Sequence, residues 1–239
     1  NLAPGGTYWF DLSKMRLLEL GEANTNLPDE TLHWVSFTYT RTINAYSLDG
    51  PRAITEEEAN NIKDDHSLFI ADYNVIHTVS WAELSFTKYD FIFGSDYPSN
   101  DIMYTMRSPS AGSQLGIDDF IGVCGSPESN EWDRILDKNP DYIKNWKDIY
   151  SWGQDTDMQH ETRRALRRQL SNYNWSSYEF GYANESIGFR PVLELPEPGT
   201  SGMQPDSLKV VTLNLNGGSI GTEKGPINIV VNKHDIFTA

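Results

Sequence analysis

The chain of 239 residues contains a single cysteine, Cys124. One thiol cannot form a disulfide within the chain, which excludes a disulfide framework and a zinc site built from several cysteines. Basic residues are also scarce, because 19 Lys and Arg stand against 34 Asp and Glu and leave a net charge of −15. Nucleic acid and anionic membranes are bound through basic patches, so we expect neither as a partner. No apolar run approaches the ~20 residues of a membrane span, and we expect no membrane insertion by this chain.

Motifs for catalysis and metal binding are equally few. The five histidines show no His-Glu-x-x-His pattern, and the sequence has neither a Gly-x-Ser-x-Gly nucleophile elbow nor a phosphate-binding loop. We therefore predict a protein that is not an enzyme and that needs no cofactor. One question stays open, since carboxylates at 118–119 and at 155–157 could hold a structural calcium ion or could simply be solvated loop acids.

The chain does contain the residues that build a core. Aromatic residues make up 12% of it, including seven Trp, and charged residues only 22%. A chain of this composition folds, and its length fits one large domain, with or without a small second one. Because β-rich runs alternate with a few helical patterns, we predict the α+β class.

Several elements can be placed from local patterns. Strands are predicted from β-rich composition at residues 5–12, 33–40, 67–79 with a break at 72–74, and 90–93. A helix is predicted at residues 129–136, where Trp132, Ile135 and Leu136 share one apolar face. Weaker signals indicate a helix start at 54–59, a helical turn or strand end at 80–84, and loop over most of 108–129.

Four arginines are concentrated in residues 161–170, which we predict to form a loop or short helix: Arg163, Arg164, Arg167 and Arg168. On a helix these residues would lie on two sides as i, i+4 pairs. A phosphate or nucleic-acid site is one interpretation. In so acidic a chain, internal pairing with Asp and Glu is the interpretation that we favour.

The segment 171–184, SNYNWSSYEFGYAN, has the composition of a binding surface. Nine of its fourteen residues are Asn, Ser or Tyr. Tyr and Trp provide large, stiff, amphipathic contacts, while Ser, Asn and Gly provide adaptable hydrogen bonds. The segment directly precedes the apolar run 187–193, so it is expected to form a loop surface displayed on a rigid scaffold. An ordinary tyrosine-rich surface loop is the alternative.

Together with Gly188-Phe189-Arg190, the segments 107–109, 129–133 and 150–155 resemble a known family over residues 104–195. The family comprises the variable proteins of diversity-generating retroelements, which have a C-type-lectin fold of the formylglycine-generating-enzyme type. Its variable region precedes a Gly-Phe-Arg closing strand, and adenine mutagenesis of its codons often yields Asn, Ser and Tyr. The same fold also includes an oxidase that uses a pair of active-site cysteines, which a chain with Cys124 alone lacks.

The resemblance implies a ligand-binding surface and a closing strand. The surface would consist of Ser171, Asn172, Tyr173, Asn174, Trp175, Ser176, Tyr178, Phe180, Tyr182 and Asn184. Trp152 and Trp175 would be aromatic neighbours within it. Residues 187–193 would form the closing strand, in which Arg190 holds the scaffold by hydrogen bonds.

The C-terminal part is set apart by a Pro- and Gly-rich stretch at residues 196–206, which we predict to be a linker after a C-type-lectin-like domain at 1–195. Residues 207–216 and 227–231 are predicted strands, with a turn at Asn216-Gly217-Gly218. Residues 211–220 resemble the start of an internalin-type B-repeat, a β-grasp-like surface module, so 207–239 would be a partial repeat. A β-hairpin that belongs to the main domain is the alternative.

These features predict a non-enzymatic protein that displays a diversified Tyr/Asn/Ser-rich surface on a C-type-lectin fold. Its ligand would be a protein or glycan on another cell. The resemblance implies an extracellular location, at a cell surface or on a virion. The alternative function is a bacterial surface adhesin of the same fold with fixed specificity, in which Tyr173, Trp175, Tyr178 and Tyr182 would stack on sugars.

Overall fold

A computed structural model of the protein describes residues 2–44, 65–94, 104–112, 130–145, 149–157, 159–168, 175–196 and 208–232. Over these ranges the fold is α+β and dominated by strands, as expected. The strands are β1 (Thr7–Phe10), β2 (Glu22–Ala23), β3 (Val35–Asn44), β4 (Asp65–Ala71), β5 (Ile76–His77), β6 (Thr105–Arg107), β7 (Tyr150–Asp157), β8 (His160–Arg167), β9 (Trp175–Glu179), β10 (Ile187–Phe189), β11 (Val192–Pro196), β12 (Leu208–Leu213) and β13 (Ile227–Asn232). The α-helices are α1 (Trp81–Ser85) and α2 (Glu131–Lys138), and short 3-10 helices lie at Ser13–Met15, Leu17–Glu19 and Pro140–Tyr142. The predicted helix start at 54–59 lies outside the described residues.

The strands form two mixed sheets. The first has the order β12-β13-β1-β3-β4-β11-β6 and is antiparallel except where β13 runs parallel to β1. The second has the order β2-β5-β10-β7-β8-β9, with β10 parallel to β7. One buried cluster joins the two sheets, since it contains Phe37 and Phe69 from the first together with Trp152 and Phe189 from the second.

The side-chain alternation of β4 explains how helix α2 is attached. Phe69 lies in the cluster between the sheets, whereas Leu68 and Ile70 point to the other face, because successive strand residues alternate in direction. That outer face packs against Trp132 and Ile135 of α2. The apolar face predicted for residues 129–136 is therefore confirmed, and Asn130 caps the helix by accepting from the amide of Asp133 at 2.8 Å.

Residues 80–84 form the start of α1, which a complete capping box fixes. The amide of Glu83 donates to Ser80 Oγ at 3.1 Å, and the Glu83 carboxylate accepts from the amide of Ser80 at 2.8 Å. Trp81 lies at the first helical position with its indole buried, and its Nε1 donates to the carbonyl of Gly153 at 3.0 Å. The capping box therefore fixes the start of α1, and the Trp81 hydrogen bond holds the helix against strand β7.

Residues 187–193 form two strands, β10 and β11, one in each sheet, so the expectation of a single closing strand is wrong. Pro191 has no amide hydrogen to continue a ladder, which explains the break. Gly188 is required by space, because a Cβ there would lie 2.5 Å from the carbonyl oxygen of Ile76. The buried Arg190 donates to the carbonyls of Ala71 and Lys144 at 2.6 and 2.9 Å, which confirms its scaffold role.

Two further predictions are wrong. Residues 90–93 form a turn, because the Asp90 carboxylate accepts from the amides of Ile92 and Phe93 and bends the backbone. Residues 160–167 form strand β8 in the interior of the second sheet, paired with β7 and β9. The arginines are therefore not arranged as i, i+4 neighbours on a helix. Arginines four residues apart still point to the same face, because successive residues of a strand alternate in direction.

The hairpin of β12 and β13 confirms both C-terminal strands, and Asn216 and Gly217 have the positive φ values of the predicted turn. Of the predicted linker at residues 196–206, Pro196 ends strand β11 and the rest lies outside the described residues. β13 extends the first sheet by pairing with β1 at Trp9 and Ile229. Trp9, Ile227 and Ile229 bury one another, so the hairpin packs against β1.

A buried ion cluster connects the first sheet to α2. The Arg107 guanidinium donates to both carboxylate oxygens of Glu131, at 2.7 and 2.5 Å, and also to Glu194 Oε1. Arg107 and Glu131 are fully buried and Glu194 nearly so. Glu131 Oε2 also accepts from the amide of Ser110 at 2.9 Å, so the cluster fixes the start of the segment that follows β6.

Asp155 on β7 is a second buried acid, and it accepts from the amides of Ala111 and Gly112 at 2.5 and 3.0 Å. Burial raises the pKa of Asp155 to about 6, in spite of these two hydrogen bonds. The folded pKa lies above the unfolded value of ~3.9, so ionising the buried Asp155 costs folding free energy. This cost is absent below about pH 4, grows between about pH 4 and pH 6, and is fully present above about pH 6.

Asp155→Asn is therefore expected to stabilise the protein at pH 7, by up to ~3 kcal/mol for a shift of about two pKa units. The amide oxygen of asparagine can still accept from Ala111 and Gly112. Urea unfolding of variant and wild type from pH 4 to 8 measures the difference, which should vanish at the acidic end. Asp141→Asn, at an exposed position, is the control. Parallel stability curves for Asp155→Asn and wild type would contradict the assignment.

Candidate functional site

The candidate site is the aromatic surface, which we define as Tyr178, Phe180 and Tyr182 at the end of β9 and in the turn after it. These side chains are 44%, 37% and 38% exposed. The rings of Tyr178 and Tyr182 stack with centroids 4.5 Å apart and planes 25° apart. Asn184 Nδ2 donates to the Tyr182 hydroxyl at 3.0 Å. Two of the three rings are therefore ordered against each other before any ligand arrives.

The backbone around Phe180 is held from two sides. Its amide donates to the carbonyl of Thr162 on β8 at 2.9 Å, and its carbonyl accepts from the amide of Ala82 on α1 at 2.9 Å. The amide of Tyr182 closes the turn by donating to the carbonyl of Glu179 at 2.9 Å. The aromatic surface is thus mounted on a strand and a helix, so a ligand need not order these residues on binding.

Arg164 lies beneath the aromatic surface. It is the cross-strand partner of Tyr178, and its guanidinium carbon lies 4.6 Å from the ring centroid of Trp81 and 5.7 Å from that of Phe180. Nη1 donates to the carbonyls of Glu161 and Arg163 at 2.8 and 3.0 Å. Burial lowers the pKa of Arg164, and within the described residues no carboxylate pairs with it. The cation therefore supports Phe180 through ring contact rather than through an ion pair.

The predicted site residues other than Tyr178, Phe180, Tyr182 and Asn184 divide into two groups. Ser171, Asn172, Tyr173 and Asn174 lie outside the described residues. Trp175 and Ser176 are half-buried in β9, and Trp175 Nε1 donates to the carbonyl of Gly112 at 2.7 Å. Because Trp175 and Tyr178 are three residues apart on a strand, their side chains point to opposite faces. The structure therefore brings together Tyr178, Phe180, Tyr182 and Asn184, and it separates Trp175 from them.

Trp152 was expected to be an aromatic neighbour of the surface, and this expectation is wrong. Its side chain is fully buried, and Nε1 donates to the carbonyl of Val79 at 2.8 Å. The physical reason is its place in the middle of the second sheet, where it pairs with Leu166 and faces the cluster between the sheets. Composition suggests that a Trp side chain contacts a ligand, but the position of its strand in the sheet decides whether that side chain is exposed.

Internal pairing of the arginines with acids is confirmed for two of them. Arg163 pairs with Glu179 at 3.2 Å on the exposed part of β8, and the buried Arg167 pairs with Asp133 of α2. Arg168 lies over the ring of Tyr150 at 4.6 Å. The role of Arg164 was missed because residues 160–167 show too little period-two alternation to indicate a strand, and so its pairing with Tyr178 could not be foreseen.

The described acids and histidines form no arrangement suited to metal binding. Over these ranges no three or more His, Cys, Asp or Glu side chains converge on a point where an ion could be held. Asp157 accepts from Ser177 Oγ at 2.5 Å and from the amide of Gln159 at 2.8 Å, while Asp155 holds the amides of residues 111 and 112. Cys124 and the carboxylates at 118–119 lie outside the described residues.

Comparison of the chain with family models, with curated proteins and with solved structures finds no significant match. Among the described helices, none has the length and apolar character needed to cross a bilayer.

Proposed function

We propose that the protein is a non-enzymatic binding protein with a C-type-lectin-like fold. It recognises a protein ligand on another cell through the aromatic surface. The observation that carries this proposal is the exposure of three neighbouring aromatic rings on a backbone held by β8 and α1. Buried in an interface, Tyr side chains contribute large contact area at low entropic cost, and rings of this kind commonly dominate binding energy.

The charge distribution is compatible with a protein ligand. The aromatic surface is flanked by the exposed pair Arg163–Glu179 and underlain by Arg164, so both signs of charge surround the rings. A hydrophobic centre with a polar rim is the usual anatomy of a protein interface. Ser171, Asn172, Tyr173 and Asn174, which precede β9 in the sequence, are included in the proposed binding surface on the basis of their composition alone.

The proposal includes diversification of the surface by a retroelement and display at a cell surface or on a virion. Tyr178, Phe180, Tyr182 and Asn184 are residues that adenine mutagenesis of a template codon yields, and they are the ones that the structure brings together. Sequencing the gene segment for residues 165–195 across a population of source cells tests this part. Substitutions confined to the Asn, Ser, Tyr and Phe positions support it. A uniform sequence would favour an adhesin of fixed specificity.

Simultaneous replacement of Tyr173, Tyr178 and Tyr182 by alanine is expected to reduce ligand binding at least tenfold, because hot-spot aromatics contribute ~2 kcal/mol or more each. The melting temperature should hardly change, since the two described rings are more than a third exposed. Flow cytometry of labelled protein on a panel of bacterial cells measures binding, and differential scanning fluorimetry measures stability. Phe86→Ala, which removes an 80% exposed ring at the C-terminal end of α1 and outside the aromatic surface as defined, is the control and should bind normally. A large loss of thermal stability in the triple variant would instead assign these rings to the core.

A further inference from the structure

A second concave site, the Asn cavity, lies at the edge of the second sheet where β2 and β5 run. It has a volume of about 210 Å³ and is lined by Asn24, Asn26, Tyr73, Asn74, Asn145 and Ile149. Four of these six residues are asparagines, and no Asp, Glu, Lys or Arg is among the described lining residues. The proposed function makes no use of this cavity.

The Asn cavity and the aromatic surface lie on opposite faces of the second sheet. Asn74 Oδ1 accepts from Ser151 Oγ at 3.0 Å, which places Asn74 on the face that Ser151 occupies. Ser151 pairs with Arg167, while Tyr178 pairs with Arg164. Since Arg164 and Arg167 are three residues apart on β8, they point to opposite faces. A ligand in the cavity therefore cannot contact the aromatic surface.

The floor of the cavity is built from two buried amides with fixed positions. Asn24 and Asn74 are 4% and 1% exposed. Asn24 Nδ2 donates to the carbonyl of Asn74 at 2.8 Å, and its Oδ1 accepts from the amide of Asn26 at 3.0 Å. Asn74 Nδ2 donates to the carbonyl of Ile149 at 3.4 Å. A primary amide has two N–H groups and two lone pairs, so each side chain retains a donor and an acceptor.

The rim supplies further amides that are available to a ligand. Asn26 and Asn145 are exposed, and within the described residues their side chains make no hydrogen bond. The backbone at Asn145 is fixed, because its carbonyl accepts from Arg190 Nη2 at 3.1 Å and its φ is 44°. Tyr73 is half-buried and adds an aromatic ring and a hydroxyl to the rim.

This set of groups determines the ligand chemistry. A hydroxyl both donates and accepts, so several hydroxyls can pair with several amides, whereas the described lining residues offer no counter-charge to a charged ligand that gives up its hydration. Drug-sized ligands occupy ~300–1,000 Å³, so a cavity of about 210 Å³ holds a smaller group. We infer that the Asn cavity binds a single neutral sugar residue, with the ring of Tyr73 against one sugar face and the asparagine amides on its hydroxyls.

Saturation-transfer NMR of the full chain with glucose, galactose, mannose and N-acetylglucosamine tests this inference. At least one of these sugars is expected to bind. Asn26→Ala and Asn145→Gly should each weaken that binding by about tenfold, the factor that corresponds to one lost hydrogen bond of ~1.4 kcal/mol. Glycine tolerates the positive φ of residue 145 and keeps the carbonyl that accepts from Arg190. Asn216→Gly, at an exposed asparagine with a φ of 49° in the C-terminal hairpin, is the matched control and should bind normally.

Two outcomes would overturn the inference: no transfer to any of the four sugars at millimolar concentration, or sugar binding that the Asn26→Ala/Asn145→Gly double variant leaves unchanged. The variant without Tyr173, Tyr178 and Tyr182 separates this inference from the proposed function. It should retain sugar binding while losing cell binding. Loss of sugar binding in that variant would move the sugar site to the aromatic surface and refute the assignment to the Asn cavity.

Discussion

Phe189→Ala is expected to lower the free energy of unfolding by about 3–5 kcal/mol. The Phe189 side chain is completely buried, and its ring lies 5.8 Å from that of Phe91 in the cluster that joins the two sheets. Alanine would remove most of this buried surface and leave a cavity that the surrounding rings cannot fill. Urea unfolding followed by tryptophan fluorescence measures the change.

A matched control is available for this prediction. Phe86→Ala makes the same chemical change at a side chain that is 80% exposed, and it should alter stability by no more than ~0.5 kcal/mol. Equal effects of the two substitutions would show that the strand containing Gly188 and Phe189 does not close the core.

Arg107→Met is expected to destabilise the protein by about 3–5 kcal/mol at pH 7. The substitution leaves the carboxylates of Glu131 and Glu194 buried beside each other without a counter-charge. Chemical unfolding of the variant and the wild type measures the loss.

Two further variants test this explanation. Arg107→Met combined with Glu131→Gln and Glu194→Gln removes all the charges, and it should recover a substantial part of the lost stability. Arg16→Met disrupts only the exposed pair Arg16–Glu19, so it should cost less than ~1 kcal/mol. A triple variant no more stable than Arg107→Met alone would show that the loss comes from packing and not from the unpaired acids.

Much of the first sheet could be predicted from the sequence, because its strands are apolar and bounded by turn residues. Strand β8 could not be predicted, because the buried Arg167 and Arg164 occupy positions where the pattern of a strand usually has apolar residues. The burial of Arg167 depends on its ion pair with Asp133. The burial of Arg164 depends on its contacts with the rings of Trp81 and Phe180. Such partners come from distant parts of the chain and leave no local signal.

The candidate site shows the same division. Composition predicted the exposure of Tyr178, Phe180 and Tyr182, because Tyr-rich polar segments are typical of displayed surfaces. Composition could not predict on which face of the sheet Trp175 lies or that Trp152 is buried, since both depend on strand register. The Asn cavity was not foreseen at all, because its lining is gathered from residues between 24 and 149.

The parallel pairing of β13 with β1 has a consequence for how the fold is assembled. β1 is the first described strand and β13 the last, so the entropy of closing nearly the whole chain must be overcome before this contact contributes. During synthesis, the outer edge of β1 stays without its partner until residues 227–232 have been made. Trp9, which Ile227 and Ile229 eventually cover, remains accessible for that time. Newly made chains are therefore expected to associate with one another along β1 until the hairpin of β12 and β13 covers it.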